Sequence, residues 1–420
     1  MPKKRERALR GAAVWAVAVV SGLVAAGCGG DAASPSDGEP PPPLTVAGTY
    51  PATGGLREDG GRMEKGYRLA IEMLNEAGGI DGRKVRLILR DDGSDPRAAA
   101  EIYRELADTD SIDLLIGPYA SSITDAVAPV VEAAGRPLVA GLASSSAIWE
   151  GKGRQWTVQM LNPARDNLAG AAIVAAQKGA ETVAMAYEDS RFPVSAAEGV
   201  RAAVAQHGLR LVMDEKYPPG GADHAELSAR ARDLRADLFL GGGYTDDAIA
   251  FTRAAAEVGY APMLMSWAAG PAEPSFPGRV GELARCMIGN TPWLPTLRTS
   301  GLLADNATFV RRFNETYGEP AGYTAAAGFG TVDLLAQAVN ASVAATGEVR
   351  DAAIRDFLFR SDAETVLGPY GVVGLGDPGS GSQRRLVRLQ IQWQEDGQGG
   401  LAQRVIYPLS MAEAEACVAG

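Results

Sequence analysis

The chain is poor in the residues that most often carry catalysis or bind metals. Its 420 residues include only two histidines, His207 and His224, and three cysteines, Cys28, Cys286 and Cys417. The histidines lie well apart on helix-like segments, which argues against a histidine-based metal or catalytic site. Both read as solvated helix residues. No Gly-x-Ser-x-Gly elbow, no Gly-Lys-Ser/Thr phosphate loop and no nucleophile–base–orienter set occurs, so neither an enzyme nor a bound cofactor is expected. Gly374-Leu-Gly-Asp-Pro-Gly379 fits the dinucleotide spacing, but Pro378 and the strand-like Arg385–Trp393 follow where that motif needs a helix. Positive charge is in the minority: 40 Lys and Arg against 51 Asp and Glu leave a net charge of −11, a poor complement to nucleic acid.

The basic residues that exist are unevenly placed. Lys3, Lys4, Arg5, Arg7 and Arg10 precede an apolar run, Gly11–Ala26, which closes on Val24-Ala-Ala-Gly-Cys28. This is the layout of an export signal over 1–27. A small residue before Cys28 is similar to a bacterial lipobox, with Ala25 where leucine is usual. Cys28 reads as a lipidation site, and the alternative is a plain secretory signal with Cys28 near the cut. Removing the segment takes away five basic residues and one acid and moves the net charge from −11 to −15. The following stretch, 28–43, is small, polar and proline-rich, ends in four consecutive prolines and has no apolar period. It cannot bury a core and suits an extended tether. The apolar run is short for a membrane span. In this exported setting Asn306-Ala-Thr308 and Asn314-Glu-Thr316, which fit the glycosylation pattern, read as ordinary surface residues. Cys286 and Cys417 remain; they either pair, as leftover cysteines in an oxidising compartment often do, or are two separately buried thiols.

What the body does have is alternation. Gly66–Gly79 carries Tyr67, Ala70, Ile71 and Leu74 on one helical face and stops at two glycines. Val85–Leu89 is a strand running to Asp91-Asp92, and Asp95-Pro96 opens a helix with aspartate as cap and proline at the first position. Ile112–Ile116 is a strand breaking at Gly117-Pro-Tyr119 into Ser121-Ser122, and Pro137–Gly141 is a strand ending in Ser144-Ser-Ser146. The second half repeats this grammar. Strands are expected at 182–186, 209–213, 237–241 and 262–265, with helices at 196–206, 225–234 and 247–258; the charge run Arg230–Arg235 is the wet face of one of them. Leu389–Gln394 alternates as a half-exposed antiparallel strand would. Two parallel sheets covered on both faces follow.

With Gly48-Thr-Tyr-Pro-Ala-Thr-Gly54, the Asn75-Glu-Ala-Gly-Gly-Ile80 core, Ile116-Gly117 before the serine pair and Pro137-Leu-Val, the chain resembles the branched-chain amino-acid type of periplasmic binding protein, the solute-binding subunit of ABC importers. Weaker echoes at Gly242-Gly-Tyr244, Ala325–Asn340 and Gly368-Pro-Tyr-Gly371 extend the likeness over nearly all of the chain after residue 44. The resemblance implies an α/β, type I periplasmic-binding-protein fold: two doubly wound parallel-sheet lobes joined by three crossings, near Met160–Pro163, Thr291–Pro295 and Leu367–Tyr370. Lobe 1 would be 44–161 with 294–367, and lobe 2 would be 162–293 with 368–420. It also implies ligand capture by lobe closure and delivery to permease subunits by a monomer lipid-anchored outside the cytoplasmic membrane or at the cell surface. A surface sensor not coupled to transport is the alternative.

Position by position, the resemblance places ligand contacts at Ser121, Ser122, Ala143 (through its backbone) and Ser145 of the first lobe, and at Phe192 and Tyr244 of the second. Helix capping is the other role open to the two loop serines. Amino-acid-binding members place a glutamate against the ligand ammonium where this chain reads Ser266-Trp-Ala-Ala-Gly270. A buried ammonium needs a counter-charge. Either another acid supplies it, with Asp59 in the loop after the first strand as candidate or else a solvated acid, or the ligand lacks that group. The ligand class is therefore an amino acid or a related small carboxylate or amide.

Overall fold

The computed structural model describes residues 41–418; the signal-like segment, Cys28 and most of the tether lie outside the described residues. Among the described residues no helix is long and apolar enough to cross a membrane.

Lobe 1 starts with β1 (Leu44–Tyr50), α1 (Arg57–Glu76), β2 (Val85–Asp91), α2 (Pro96–Ala107), β3 (Leu114–Ile116), α3 (Ser121–Ala134), β4 (Leu138–Ala140) and β5 (Thr157–Gln159). The strands form one parallel sheet in the order β2-β1-β3-β4-β5. The expected apolar face of α1 is buried, but the helix begins nine residues before Gly66, because its first turns (Arg-Glu-Asp-Gly-Gly-Arg) face the other lobe and not the core. Asp95 caps α2 by accepting a hydrogen bond from the Arg97 N–H at 2.7 Å, with Pro96 at the first helical position.

Lobe 2 follows with α4 (Ala169–Gln177), β6 (Thr182–Glu188), α5 (Arg191–Gln206), β7 (Arg210–Tyr217), α6 (His224–Asp233), β8 (Leu238–Gly242), α7 (Thr245–Glu257), β9 (Leu264–Trp267), the short α8 (Phe276–Val280) and β10 (Met287–Thr291). The chain then returns to lobe 1 for α9 (Asn306–Tyr317), α10 (Tyr323–Thr346), α11 (Asp351–Arg360) and the small ladder β11 (Glu364–Thr365) with β12 (Gly368–Pro369). Helix α10 lies on α1 almost backbone to backbone: a Cβ on Gly66 would stand 2.1 Å from the Ala325 carbonyl oxygen. Strands β13 (Leu389–Glu395) and β14 (Leu401–Tyr407) finish lobe 2 as antiparallel edge strands, giving the order β14-β13-β10-β9-β8-β6-β7.

Four expectations need correction. First, the chain does not leave lobe 1 at Leu367–Tyr370. Tyr370, Val372 and Leu386 are buried in the lobe 1 core. Residues 380–383 are hydrogen-bonded to the β5 edge: the Gln159 N–H donates to the Gly381 carbonyl at 2.8 Å, and the Gln383 N–H donates to Gln159 Oε1 at 3.1 Å. The third crossing is therefore at Leu386–Leu389, and lobe 1 extends well past residue 367. Second, β13 is buried on both faces from Leu389 to Trp393. Its polar face, Gln390 and Gln392, is covered by α4 and by the C-terminal tail. Third, Asn306 is a buried structural residue: its Oδ1 accepts from Trp293 Nε1 at 2.7 Å, and its Nδ2 donates to the Leu294 and Leu297 carbonyls. Fourth, His224 is not solvated. It is half-buried between Tyr217 and Phe251, with Nε2 3.5 Å from Asp247.

Cys286, at the head of β10, and Cys417, in the tail, are joined, with Cα atoms 5.5 Å apart. Gln392 lies between them: its amide donates to the carbonyls of both and accepts from the Cys417 N–H at 2.8 Å. The tail is thereby held across β13 and the head of β10 in the lobe 2 sheet.

Candidate functional site

Two lobe 1 loops meet at the carboxyl ends of β3 and β4. Ala120 sits at φ 77 and ψ 148, a conformation that favours glycine, and this turn carries Ser121 into the first position of α3. The Ser121 hydroxyl oxygen accepts hydrogen bonds from the backbone N–H groups of Ser144 (3.0 Å) and Ser145 (3.1 Å). It braces the two serine loops together and keeps its own O–H free to donate. Neither loop serine acts as a side-chain helix cap. The Ser145 hydroxyl is buried with no hydrogen-bond partner, a costly arrangement unless something binds there.

Lobe 2 answers with aromatic rings. Phe192 lies in the first turn of α5 and Tyr244 just before α7, their ring centroids 5.7 Å apart. Tyr119 of lobe 1 comes to 6.4 Å from Tyr244 across the cleft. Burial pushes the Tyr244 hydroxyl far above the ordinary tyrosine pKa, so it stays protonated. Ala268 and Ala269 occupy the turn after β9, where no side chain reaches the ligand space with a charge.

These groups enclose a narrow chamber of about 50 Å³. That is room for a few waters, so a ligand enters only when the walls part. Ser121, Phe192 and Tyr244 line it; Ala143 and Ser145 stand behind its wall, and Ser122 and Asp59 lie outside it. Ser122 accepts a hydrogen bond from the Arg191 N–H of lobe 2 at 3.3 Å.

Asp59 is neither a loop acid nor solvated. It is buried in the first turn of α1, paired with Arg62 at 2.5 Å, and accepts a hydrogen bond from Thr245 Oγ1 of lobe 2 at 2.7 Å. A second buried acid crosses in the other direction: Glu273 of lobe 2 accepts from Thr324 Oγ1 at the start of α10. Desolvation raises the pKa of both carboxyls, and Arg62 partly opposes it. The Ser146 N–H to Ser195 Oγ bond (3.3 Å) and the Arg279–Glu58 (2.9 Å) and Arg191–Asp125 (2.8 Å) ion pairs also bridge the lobes. Asp59 therefore bridges the two lobes and does not line the chamber.

The hinge end of the chamber was missed by sequence reasoning. It is built by Asn162 of the first crossing, Asn290 near the second, Arg388 of the third and Gln390 at the start of β13. Arg388 pairs at 2.7 Å with Asp166, the one acid lining the chamber among the described residues. The usable signal was polar residues embedded in the crossing segments, but the third crossing had been placed elsewhere.

Comparison with known proteins agrees with this architecture. A family model described as periplasmic binding protein matches residues 43–383. Leu/Ile/Val-binding protein homolog 8 of Brucella abortus is 29% identical over 224 residues, 51% of this chain and 55% of that protein. The chain thus spans about half the length of the curated relatives it matches. Among solved structures, LivK, a leucine binding protein of Thermotoga maritima, superposes with TM-score 0.72 at 19% identity, covering 87% of this chain and 99% of that one. LivJ of Streptococcus pneumoniae, in complex with isoleucine, gives 0.71 at 20% identity, covering 87% and 100%. A solute binding protein of an ABC transporter from Rhodopseudomonas palustris, in complex with 3,4-dihydroxy benzoic acid, gives 0.73 at 19%, covering 89% and 98%. At these identities the solved structures speak to the fold.

Proposed function

From the premise that the chain belongs to the periplasmic binding protein family, we propose that it captures a small carboxylate between its lobes and delivers it to the permease of an ABC transporter. The observation that carries this reading is the pairing of opposite chemistries across one chamber. On one side a helix N-terminus and serine hydroxyls favour an anion; on the other, Phe192 and Tyr244 supply apolar cover. The carboxylate lies at Ser121 and the orphaned Ser145 hydroxyl, which a small rotation brings into reach. With Asp166 neutralised by Arg388 and alanines after β9, the chamber offers no free acid for an ammonium, so an aromatic or aliphatic carboxylate fits better than an amino-acid zwitterion. The relatives' and neighbours' names span both kinds of ligand.

Cys28 carries the lipid in this reading and holds the body outside the cytoplasmic membrane; lipid labelling that persists in Cys28→Ala would sink that part. The ligand reading is tested by a thermal-shift and calorimetry panel of amino acids, aromatic acids, hydroxy acids and amides. A ligand that binds only the native state raises the melting temperature. Carboxylates without an ammonium should do so, and a response confined to leucine, isoleucine and valine would overturn the preference stated here.

A further inference from the structure

The hinge-side wall of the chamber holds two buried amides that are each half satisfied. Asn162 is 7% exposed; its Nδ2 donates to the Leu386 carbonyl at 3.1 Å, while its Oδ1 has no hydrogen-bond partner. Gln390 is 2% exposed; its Nε2 donates to the Asn167 carbonyl at 3.0 Å, while its Oε1 likewise has none. Rotating either amide by a half-turn would set an oxygen against a carbonyl oxygen, so the orientation is fixed by the backbone it binds. Both residues line the chamber; Asn162 belongs to the first crossing, and Gln390 is the second residue of β13, just past the third. Two buried acceptors without donors at one end of a ligand space leave a free-energy deficit that a ligand donor removes.

Resting on the carboxylate reading above, we propose that Asn162 and Gln390 are specificity residues that read an uncharged hydrogen-bond donor, a hydroxyl or a carboxamide N–H, at the end of the ligand remote from its carboxylate. A cationic donor is disfavoured because Arg388 stands on the same wall and the only lining acid, Asp166, is already paired with it. Closure matters to this recognition, because the rings then cover the ligand and exclude the water that would compete for the two oxygens. A site built to accept a hydrogen bond discriminates against the analogue lacking the donor more strongly than an apolar wall could discriminate between sizes.

The test uses matched ligands that differ only in the donor: benzoate against its 3- and 4-hydroxy and 4-carboxamide derivatives, and short fatty acids against their terminally hydroxylated counterparts. With the full mature protein, a donor-bearing member of a pair should bind roughly tenfold to a hundredfold more tightly than its parent. In Gln390→Met, which keeps length and apolar packing, the ratio of donor-bearing to parent affinity, both measured on the variant, should shrink about tenfold. Ser145→Ala should instead weaken both members equally, because it acts on the shared carboxylate. Equal affinity within every pair in the wild-type protein overturns the proposal without touching the carboxylate reading, and so does an intact preference in Gln390→Met. Failure of every carboxylate to bind overturns both. The wild-type comparison decides the matter even if the variant does not fold.

Discussion

The two lobes share a doubly wound plan, yet they differ where it matters for binding and for stability. Lobe 1 is an all-parallel five-stranded sheet whose cleft edge presents hydroxyls at a helix mouth, each placed by a few consecutive residues after a strand. Lobe 2 is a mixed seven-stranded sheet with an antiparallel edge, a cross-link to the tail, and a cleft edge of rings and alanines whose one acid, Asp166, is paired with Arg388. In the proposed reading lobe 1 supplies an anchor suited to any carboxylate. The chemistry that distinguishes ligands falls to lobe 2 and the crossings.

The largest effect that would sharpen this contrast concerns the edge of lobe 2. Cys286 and Cys417 are 131 residues apart in sequence, and a cross-link closing so long a loop contributes on the order of 2–5 kcal/mol, chiefly by restricting the unfolded chain. The Cys286→Ala/Cys417→Ala variant should lower the urea midpoint accordingly. Ligand affinity should hold, since neither cysteine lines the chamber. Peptide mapping of exported, never-reduced protein should find the two linked; two alkylatable thiols would remove the asymmetry between the lobes.

The next effect probes the lobe 1 anchor. Losing one hydrogen bond to a charged group costs roughly 1.5–3 kcal/mol, about tenfold to a hundredfold or somewhat more in affinity. Ser145→Ala should weaken carboxylate binding by that factor. The melting temperature without ligand should stay level or rise slightly, because the hydroxyl removed is buried and unpartnered. A drop in that temperature with affinity intact would make Ser145 a structural residue.

What could be read in advance divides along the same line. The strand–loop–helix units of lobe 1, with Asp95-Pro96 at a helix start and Ser121 at a helix mouth, are local, and local signals carry their meaning in a few neighbours. Strands β5, β10 and β14 escaped because their burial comes from distant partners. Thr157-Val-Gln is three residues long, Met287–Thr291 contains Gly289 and Asn290, and Leu401–Tyr407 carries Gln403 and Arg404. The third crossing was misplaced because Gly368-Pro-Tyr370 has the composition of a break, yet Tyr370 fills the lobe 1 core. Asn162 and Gln390 were invisible for a related reason: lone amides in sequence come together only when the first crossing and the start of β13 lie side by side. Asp59 was noticed but misassigned, since nothing local says that Thr245 will face it.

The smallest expected effect tests that bridge and separates the lobes' contact from the ligand's. In the closed form Asp59 and Glu273 are buried on either side of Arg62, and desolvation, the largest influence on each, raises their pKa values. The charged groups around them are Arg62, which lowers both, Glu58, which raises Asp59, and Asp59 itself, which raises Glu273; Arg279 pairs with Glu58. Opening the cleft returns water to both carboxyls and lets their pKa values fall towards the ordinary range. The closed state therefore binds protons more tightly, so its advantage is complete below the open-state pKa values and fades as pH rises through the raised ones. Carboxylate affinity should increase modestly as pH falls from about 8 towards 5.5, a range in which a ligand carboxylate stays ionised. Arg62 limits the size of the change. Asp59→Asn with Glu273→Gln should flatten the profile, because the neutral amides keep an oxygen for Thr245 and Thr324 but have no proton to take up. Calorimetry across that range reads the slope directly, and an unchanged slope in the double variant would assign the pH dependence to the ligand or the chamber and leave the two carboxyls as static struts.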